Sequence, residues 1–279
     1  MTRPSDETAL GIDIGGTSCR AAVVARGGSI LRMQREPTPA DGEPQQLAAT
    51  LSRLVAAVSR DDESATRPAG VALPGIWDHA TRRMLRANNL PRLVGVDLLD
   101  YFGALLRRPF VLETDVNAAA WAQWRACAPR PARFVYLSIG TGVGGAAIVE
   151  GTLLRDEHGG AGHFGDIVVD DSPDAPAGRT GVRGGLEAVV RHALERARHD
   201  RGAIAAAATA VAHGLREIAS RHAPDTIALG GGVLDHVVGF FDLVAVAGTE
   251  SPVRLIRSPL RSDDAGVIGA GLLALQSRF

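Results

Sequence analysis

Two stretches of this chain run a buried strand into a glycine turn and out again. Gly11-Ile12-Asp13-Ile14-Gly15-Gly16-Thr17 ends an apolar strand in an acidic residue and two glycines, and Ile139-Gly140-Thr141-Gly142-Val143-Gly144-Gly145 follows a second strand in the same manner. Such turns let main-chain N–H groups approach one spot without a Cβ in the way, which suits phosphate oxygens. Gly140, Gly142 and Gly145 also fit the G-x-G-x-x-G spacing of a dinucleotide-binding unit. That fingerprint opens a helix, whereas Ala146 to Val149 is a short β-type run closed by Glu150-Gly151. Strand, glycine turn, strand is the expectation at both places, one hairpin opening each half of the chain.

The rest of the pattern alternates. Residues from Ala9 to Val24 and from Ile30 to Arg35 read as three hairpin-linked strands; Leu47, Leu51, Leu54, Val55 and Val58 share one helical face; Gly70 to Leu73 is a short buried strand. The theme then repeats. Phe134 to Ile139 and Ala146 to Val149 are strands, and Leu186, Val189, Val190, Ala193 and Leu194 mark a helix. Ile204, Val211, Leu215 and Ile218 mark another helix, Thr226 to Leu229 a strand, and Ala265 to Leu275 a C-terminal helix. Ser172 to Gly184 has no periodicity and reads as a loop. The class is α/β with two lobes.

Composition removes whole chemistries. The 30 Lys plus Arg residues are all arginine, so a Walker A P-loop, a protein-kinase strand lysine and a Schiff-base amine are absent. A net charge of -1 gives no basic footprint for nucleic acid. No apolar run approaches the roughly 18 residues of a membrane span. Cys19 and Cys127 form no C-x-x-C pair and follow no apolar leader, so a reducing, cytoplasmic address is expected.

In order and spacing the chain resembles the ROK sugar kinases of the actin-like ATPase and hexokinase superfamily. Asp13 to Thr17 looks like that family's first phosphate motif and Gly140 to Gly145 its second; Gly230-Gly231-Gly232-Val233 and Asp264-Ala265-Gly266 look like its adenosine-side segments. Leu73-Pro74-Gly75 and Glu113-Thr114-Asp115-Val116-Asn117-Ala118-Ala119 lie between them. The resemblance implies a two-lobed, ribonuclease H-like fold with the active site in the interlobe cleft. The small lobe would be residues 1–115 plus a C-terminal helix, 264–279, and the large lobe 116–263.

The resemblance also implies roles. Asp115 corresponds to the general base that takes the proton of a sugar hydroxyl, and a carboxylate at a strand-to-helix junction can do that work, although such an aspartate is also a common helix cap. Asp13 would hold magnesium or its water, with Gly15, Gly16, Thr17, Gly140, Thr141, Gly142, Gly231 and Gly232 around ATP. Gly75, Thr114, His163, Asp166 and Glu187 would meet the acceptor.

Departures from the family fall at the acceptor. Thr114 stands where asparagine is usual, and Gly162-His163-Phe164-Gly165-Asp166 replaces G-E-x-G-H. The family's zinc module pairs that last histidine with three cysteines; none of the four survives, so no zinc site is expected. Ser18 replaces a frequent lysine, and Arg20 could compensate only if no bulge breaks the alternation. The expectation is an ATP- and magnesium-dependent kinase of a sugar, amino sugar or cyclitol other than plain glucose, acting as a homodimer. The alternative is a weak or inactive sugar- or nucleotide-binding regulator; about eight residues ahead of the first strand leave no room for a helix-turn-helix.

Overall fold

The computed structural model describes residues 7–59, 67–78, 80–155, 162–196, 200–248 and 253–277. In chain order the elements are β1 (Thr8–Ile14), β2 (Ser18–Ala25), β3 (Ile30–Pro37), α1 (Pro44–Val58), β4 (Ala69–Leu73), β5 (Ile76–Trp77), β6 (Met84–Arg86), α2 (Leu98–Leu106), β7 (Phe110–Thr114) and α3 (Asp115–Ala126). They continue as β8 (Arg133–Ile139), β9 (Val143–Val149), β10 (Thr152–Leu153), α4 (Leu186–Arg196), α5 (Arg201–His222), β11 (Thr226–Gly230), α6 (Gly232–His236), α7 (Phe240–Gly248), β12 (Arg254–Arg257) and α8 (Ser262–Gln276). No helix among the described residues is long and apolar enough to cross a membrane.

The chain forms two compact units. One comprises Met1–Ala126, Arg155–Gly160 and Asp263–Phe279, the other Cys127–Leu154 and Ala161–Ser262. Each is built on a five-stranded sheet, in the orders β3-β2-β1-β4-β7 and β10-β9-β8-β11-β12. In both, an antiparallel meander of three strands continues into two parallel neighbours. The repeated theme in the sequence is thus one topology used twice.

Unit 1 holds its main core between the sheet and α1 and α2, with Ile12, Ile14, Leu51, Leu73, Leu98 and Phe102 fully buried. Helix α1 starts at a reciprocal cap, in which the Glu43 N–H donates to Gln46 and the Glu43 carboxylate receives the Gln46 N–H. The opposite face is packed far more tightly, by α8. A Cβ on Gly70 would stand 1.9 Å from the Ala270 carbonyl oxygen, and one on Gly11 2.1 Å from that of Val267. Only glycine permits that approach of helix to strand.

The division of the chain differs from the expected one after Asp115. Helix α3 lies wholly in unit 1, because a Cβ on Gly269 of α8 would sit 1.7 Å from the Ala118 carbonyl oxygen and Ala72, Ala118 and Ala270 share a small core. The boundary therefore follows Ala126. Unit 2 packs α4, α5 and α7 around Val135, Leu137, Leu186, Val211, Ile218, Leu229 and Phe240. The stretch read as a loop, Ser172 to Gly184, carries a short antiparallel bridge between Ala177 and Arg183.

Candidate functional site

In unit 1 the first glycine turn closes β1 on β2. The Gly15 N–H donates to the Ser18 carbonyl at 3.0 Å, and the Thr38 hydroxyl donates to the Gly15 carbonyl at 2.6 Å. A Cβ on Gly16 would meet the Asn89 side chain at 2.8 Å. The register runs without a bulge, so Asp13 pairs directly across the ladder with Arg20. Arg20 Nη1 donates to Asp13 Oδ2 at 3.1 Å and Nη2 to Asp263 Oδ1 at 2.7 Å. Arg20 therefore supplies a cation beside the turn of a chain that has no lysine. Burial nevertheless dominates the Asp13 carboxyl; with Asp115 also opposing its ionisation, and Arg20 favouring it, the group is pushed up to about 6.

Asp115 opens α3, directly after β7. Its Oδ1 accepts the Val116 N–H at 2.8 Å. Burial raises its carboxyl above the usual range, against the pull of that N–H and its own. Thr114, at the position of the family's asparagine, caps the helix: its hydroxyl oxygen accepts the Asn117 N–H at 3.2 Å. Its hydroxyl proton is left to donate. Gly75 lies at φ 128° between β4 and β5, where a Cβ would meet the Arg86 carbonyl oxygen at 2.5 Å.

Beneath Asp115 lies a polar network that sequence reasoning passed over. Glu113, 5% exposed, accepts from the Asn117 side-chain amide at 2.8 Å, from the Thr114 N–H at 3.0 Å and from Arg155 Nε at 3.1 Å. The Glu113 to Asn117 spacing of four was the available signal. It fixes the junction that aims Asp115.

In unit 2 the second glycine turn, Gly140-Thr141-Gly142, joins β8 to β9 as a hairpin, with the Gly140 N–H donating to the Gly142 carbonyl at 2.8 Å. Gly231 and Gly232 stand beside it. Gly231, at φ 98°, would put a Cβ 2.3 Å from the Ile139 carbonyl oxygen, and a Cβ on Gly140 would lie 3.8 Å from the Gly232 nitrogen. Glu187, in the first turn of α4, reaches the same turn: a Cβ on Gly142 would lie 3.2 Å from its Oε2. His163 precedes a 3-10 turn, Phe164–Asp166, and the Asp166 carboxylate accepts the Thr180 hydroxyl at 2.5 Å.

Two groups implied by the resemblance can be weighed against these residues. Magnesium carried by a nucleotide keeps most of its waters and needs one or two carboxylates. The buried Asp13, its carboxyl raised by desolvation, fits that demand. Zinc does not fit. Asp166 stands at the histidine position and is bonded to Thr180, Cys19 lies in β2 of unit 1, and among the described residues no three His, Cys, Asp or Glu side chains gather as ligands.

Comparison with known proteins agrees with the arrangement. The ROK family matches over residues 9–205. An N-acetylmannosamine kinase of Escherichia coli O157:H7 is 34% identical over 62% of this chain, a match that spans only 59% of that relative. An N-acetylmannosamine kinase of Escherichia coli O7:K1 is 30% identical over 98% of this chain and 100% of its own length. A ROK glucokinase from Streptomyces griseus, solved with glucose and AMPPNP, superposes with a TM-score of 0.80 at 26% identity, covering 97% of this chain and 100% of that one. The shared fold is that of the actin-like ATPases.

Proposed function

Because this chain belongs to the ROK family, we propose that it is a kinase that moves the terminal phosphoryl group of ATP onto a hydroxyl of an amino sugar or a related hexose-like acceptor. The observation that carries the reading is Asp115, half-buried at the head of α3, held by the Val116 N–H and with its carboxyl raised. A general base works best when its pKa approaches the working pH, and burial moves Asp115 in that direction.

In the reaction the acceptor oxygen attacks the terminal phosphorus, its proton passes to Asp115, and the bond to the departing ADP oxygen breaks. Phosphoryl transfer asks mainly for position and charge. Main-chain N–H groups of the two glycine turns supply donors for phosphate oxygens, and Arg20 and Asp13 set the charge at the first. Magnesium bound with the nucleotide, through Asp13 or its water, would neutralise phosphate charge. Glu187 accepts an acceptor hydroxyl.

The relative matched over its full length at 30% identity makes an N-acetylated amino sugar the first acceptor to try. His163 in place of a carboxylate accepts fewer hydroxyl protons, which disfavours plain glucose. The test is a coupled ADP-release assay over N-acetylhexosamines, hexoses and cyclitols, with ATP or polyphosphate as donor. Asp115→Asn is expected to keep nucleotide affinity and lose about 10² to 10⁴ in turnover. Turnover of that variant near the parent's would overturn the assignment.

A further inference from the structure

Glu187 is set up unlike an ordinary helix-capping glutamate. Its Oε1 is buried and accepts no hydrogen bond, although two guanidinium groups stand near: Arg179 Nε at 3.6 Å and Arg191 Nη1 at 3.9 Å. Those distances hold an ion pair and leave the lone pairs unused. An acceptor oxygen left unbonded on a side chain only 18% exposed is matched by a ligand that brings a hydroxyl proton.

Arg179 owes its place to a small hairpin. Ala177 and Arg183 bridge, the Gly178 N–H donates to the Val182 carbonyl at 2.7 Å, and the Gly181 N–H to the Gly178 carbonyl at 3.0 Å. Gly181 turns at φ 88°. The tip is thus Arg179-Thr180, two adjacent side chains with separate targets. Thr180 ties the tip to Asp166, and Arg179 reaches Glu187 and, through Nη1, the second glycine turn, where a Cβ on Gly142 would lie 3.8 Å away. At the base, Gly184 at φ 65° accepts the N–H groups of Val169 and Asp170 at 2.9 and 3.2 Å, and the Leu186 N–H returns to the Ile167 carbonyl at 2.8 Å. The 3-10 turn of Asp166 and the first turn of Glu187 are therefore joined twice, once at the base and once at the tip.

We propose that Arg179 and Thr180 form a metal-free clasp, in which the Thr180–Asp166 hydrogen bond anchors the hairpin tip and Arg179 positions Glu187 for the acceptor hydroxyl. The role of Glu187 rests on the kinase reading above; the clasp itself does not. Both residues are positioning residues, acting on acceptor binding through Glu187.

The experiment compares the parent with Thr180→Val, Thr180→Ser, Arg179→Gln and Arg179→Lys. Losing the Thr180–Asp166 hydrogen bond in T180V, or the Arg179–Glu187 ion pair in R179Q, is expected to raise the acceptor KM about tenfold, with the ATP KM within about twofold of the parent's. T180S and R179K are expected to recover most of it. Deuterium exchange should quicken at the amides of Gly178, Gly181 and Gly184 in T180V and stay at the parent's rate in T180S. Chelator treatment should change neither exchange nor melting temperature. Parent-like KM and exchange in T180V and R179Q would overturn the clasp. So would near-stoichiometric zinc in the parent whose removal quickens exchange at the same amides. Should the parent phosphorylate no acceptor, the kinase reading fails, and the exchange rates of T180V against T180S alone decide the clasp.

Discussion

Asp13 shows how little of a charged side chain's state is set by its own identity. In the sequence it is an acid before two glycines; in the fold it is 7% exposed, faces Arg20 across an unbroken ladder, and shares its surroundings with Asp115. The pairing with Arg20 was unreadable beforehand because one bulge would have turned Arg20 to the other face. Thr114 taught a related lesson: its place where the family has asparagine was plain in the sequence, but not that its oxygen accepts the Asn117 N–H and so caps the start of α3. A titration follows from Asp13. Its carboxyl lies at about 6 in the folded chain against 3.8 ordinarily, so the folded state holds a proton there that the unfolded state has released. Stability from this group is full below the lower value and lost as pH rises through the higher. Replacing it by asparagine removes the group's dependence on pH. The melting temperature of Asp13→Asn, relative to the parent without nucleotide, is expected to climb by several degrees from pH 4 to pH 7. A flat difference across that range would show that folding does not raise the carboxyl above its ordinary value.

At the scale of elements, the glycine hairpins and the amphipathic α1 and α4 were legible because turn chemistry and period are local signals. Helix α8 was legible as a helix, and the resemblance gave it to the first lobe, but its packing partners were not legible: nearly every side from Ala265 to Leu272 is buried, so no single face announced them. Its glycines make contacts that sequence spacing cannot display. Gly269→Ala forces a methyl against the Ala118 carbonyl and is expected to cost about 2–3 kcal/mol, lowering the melting temperature by roughly 5–10 °C. Gly27→Ala, where nothing lies within 4 Å, is the control and should melt with the parent. Calorimetry of the pair checks both, and equal melting of all three proteins would mean that α8 yields where the packing says it cannot.

For the whole molecule, a doubled topology explains why two motifs so far apart look alike, and the sequence showed that repetition through its paired glycine turns. The resemblance had already joined the last helix to the first lobe; what no local pattern displayed was Arg155, which lies far in sequence from the strand it joins through Glu113. A chain ending at residue 262 is expected to keep slow amide exchange in β8, β9 and β11 and to lose it in β1, β4 and β7. Retained protection in those three strands would show that unit 1 closes without α8.

The interleaving has a consequence for biosynthesis. Unit 2 is spelled out by a single span of the message interrupted only briefly, whereas unit 1 needs residues from both before and after that span. Its β1 and β4 strands therefore wait, with Gly11 and Gly70 uncovered, until translation has delivered Val267 and Ala270. During that interval the carboxylates Asp13 and Asp115 have no finished support. The nascent chain thus acquires a supported base only after α8 has been made, and a product stalled or terminated before it would be without that support.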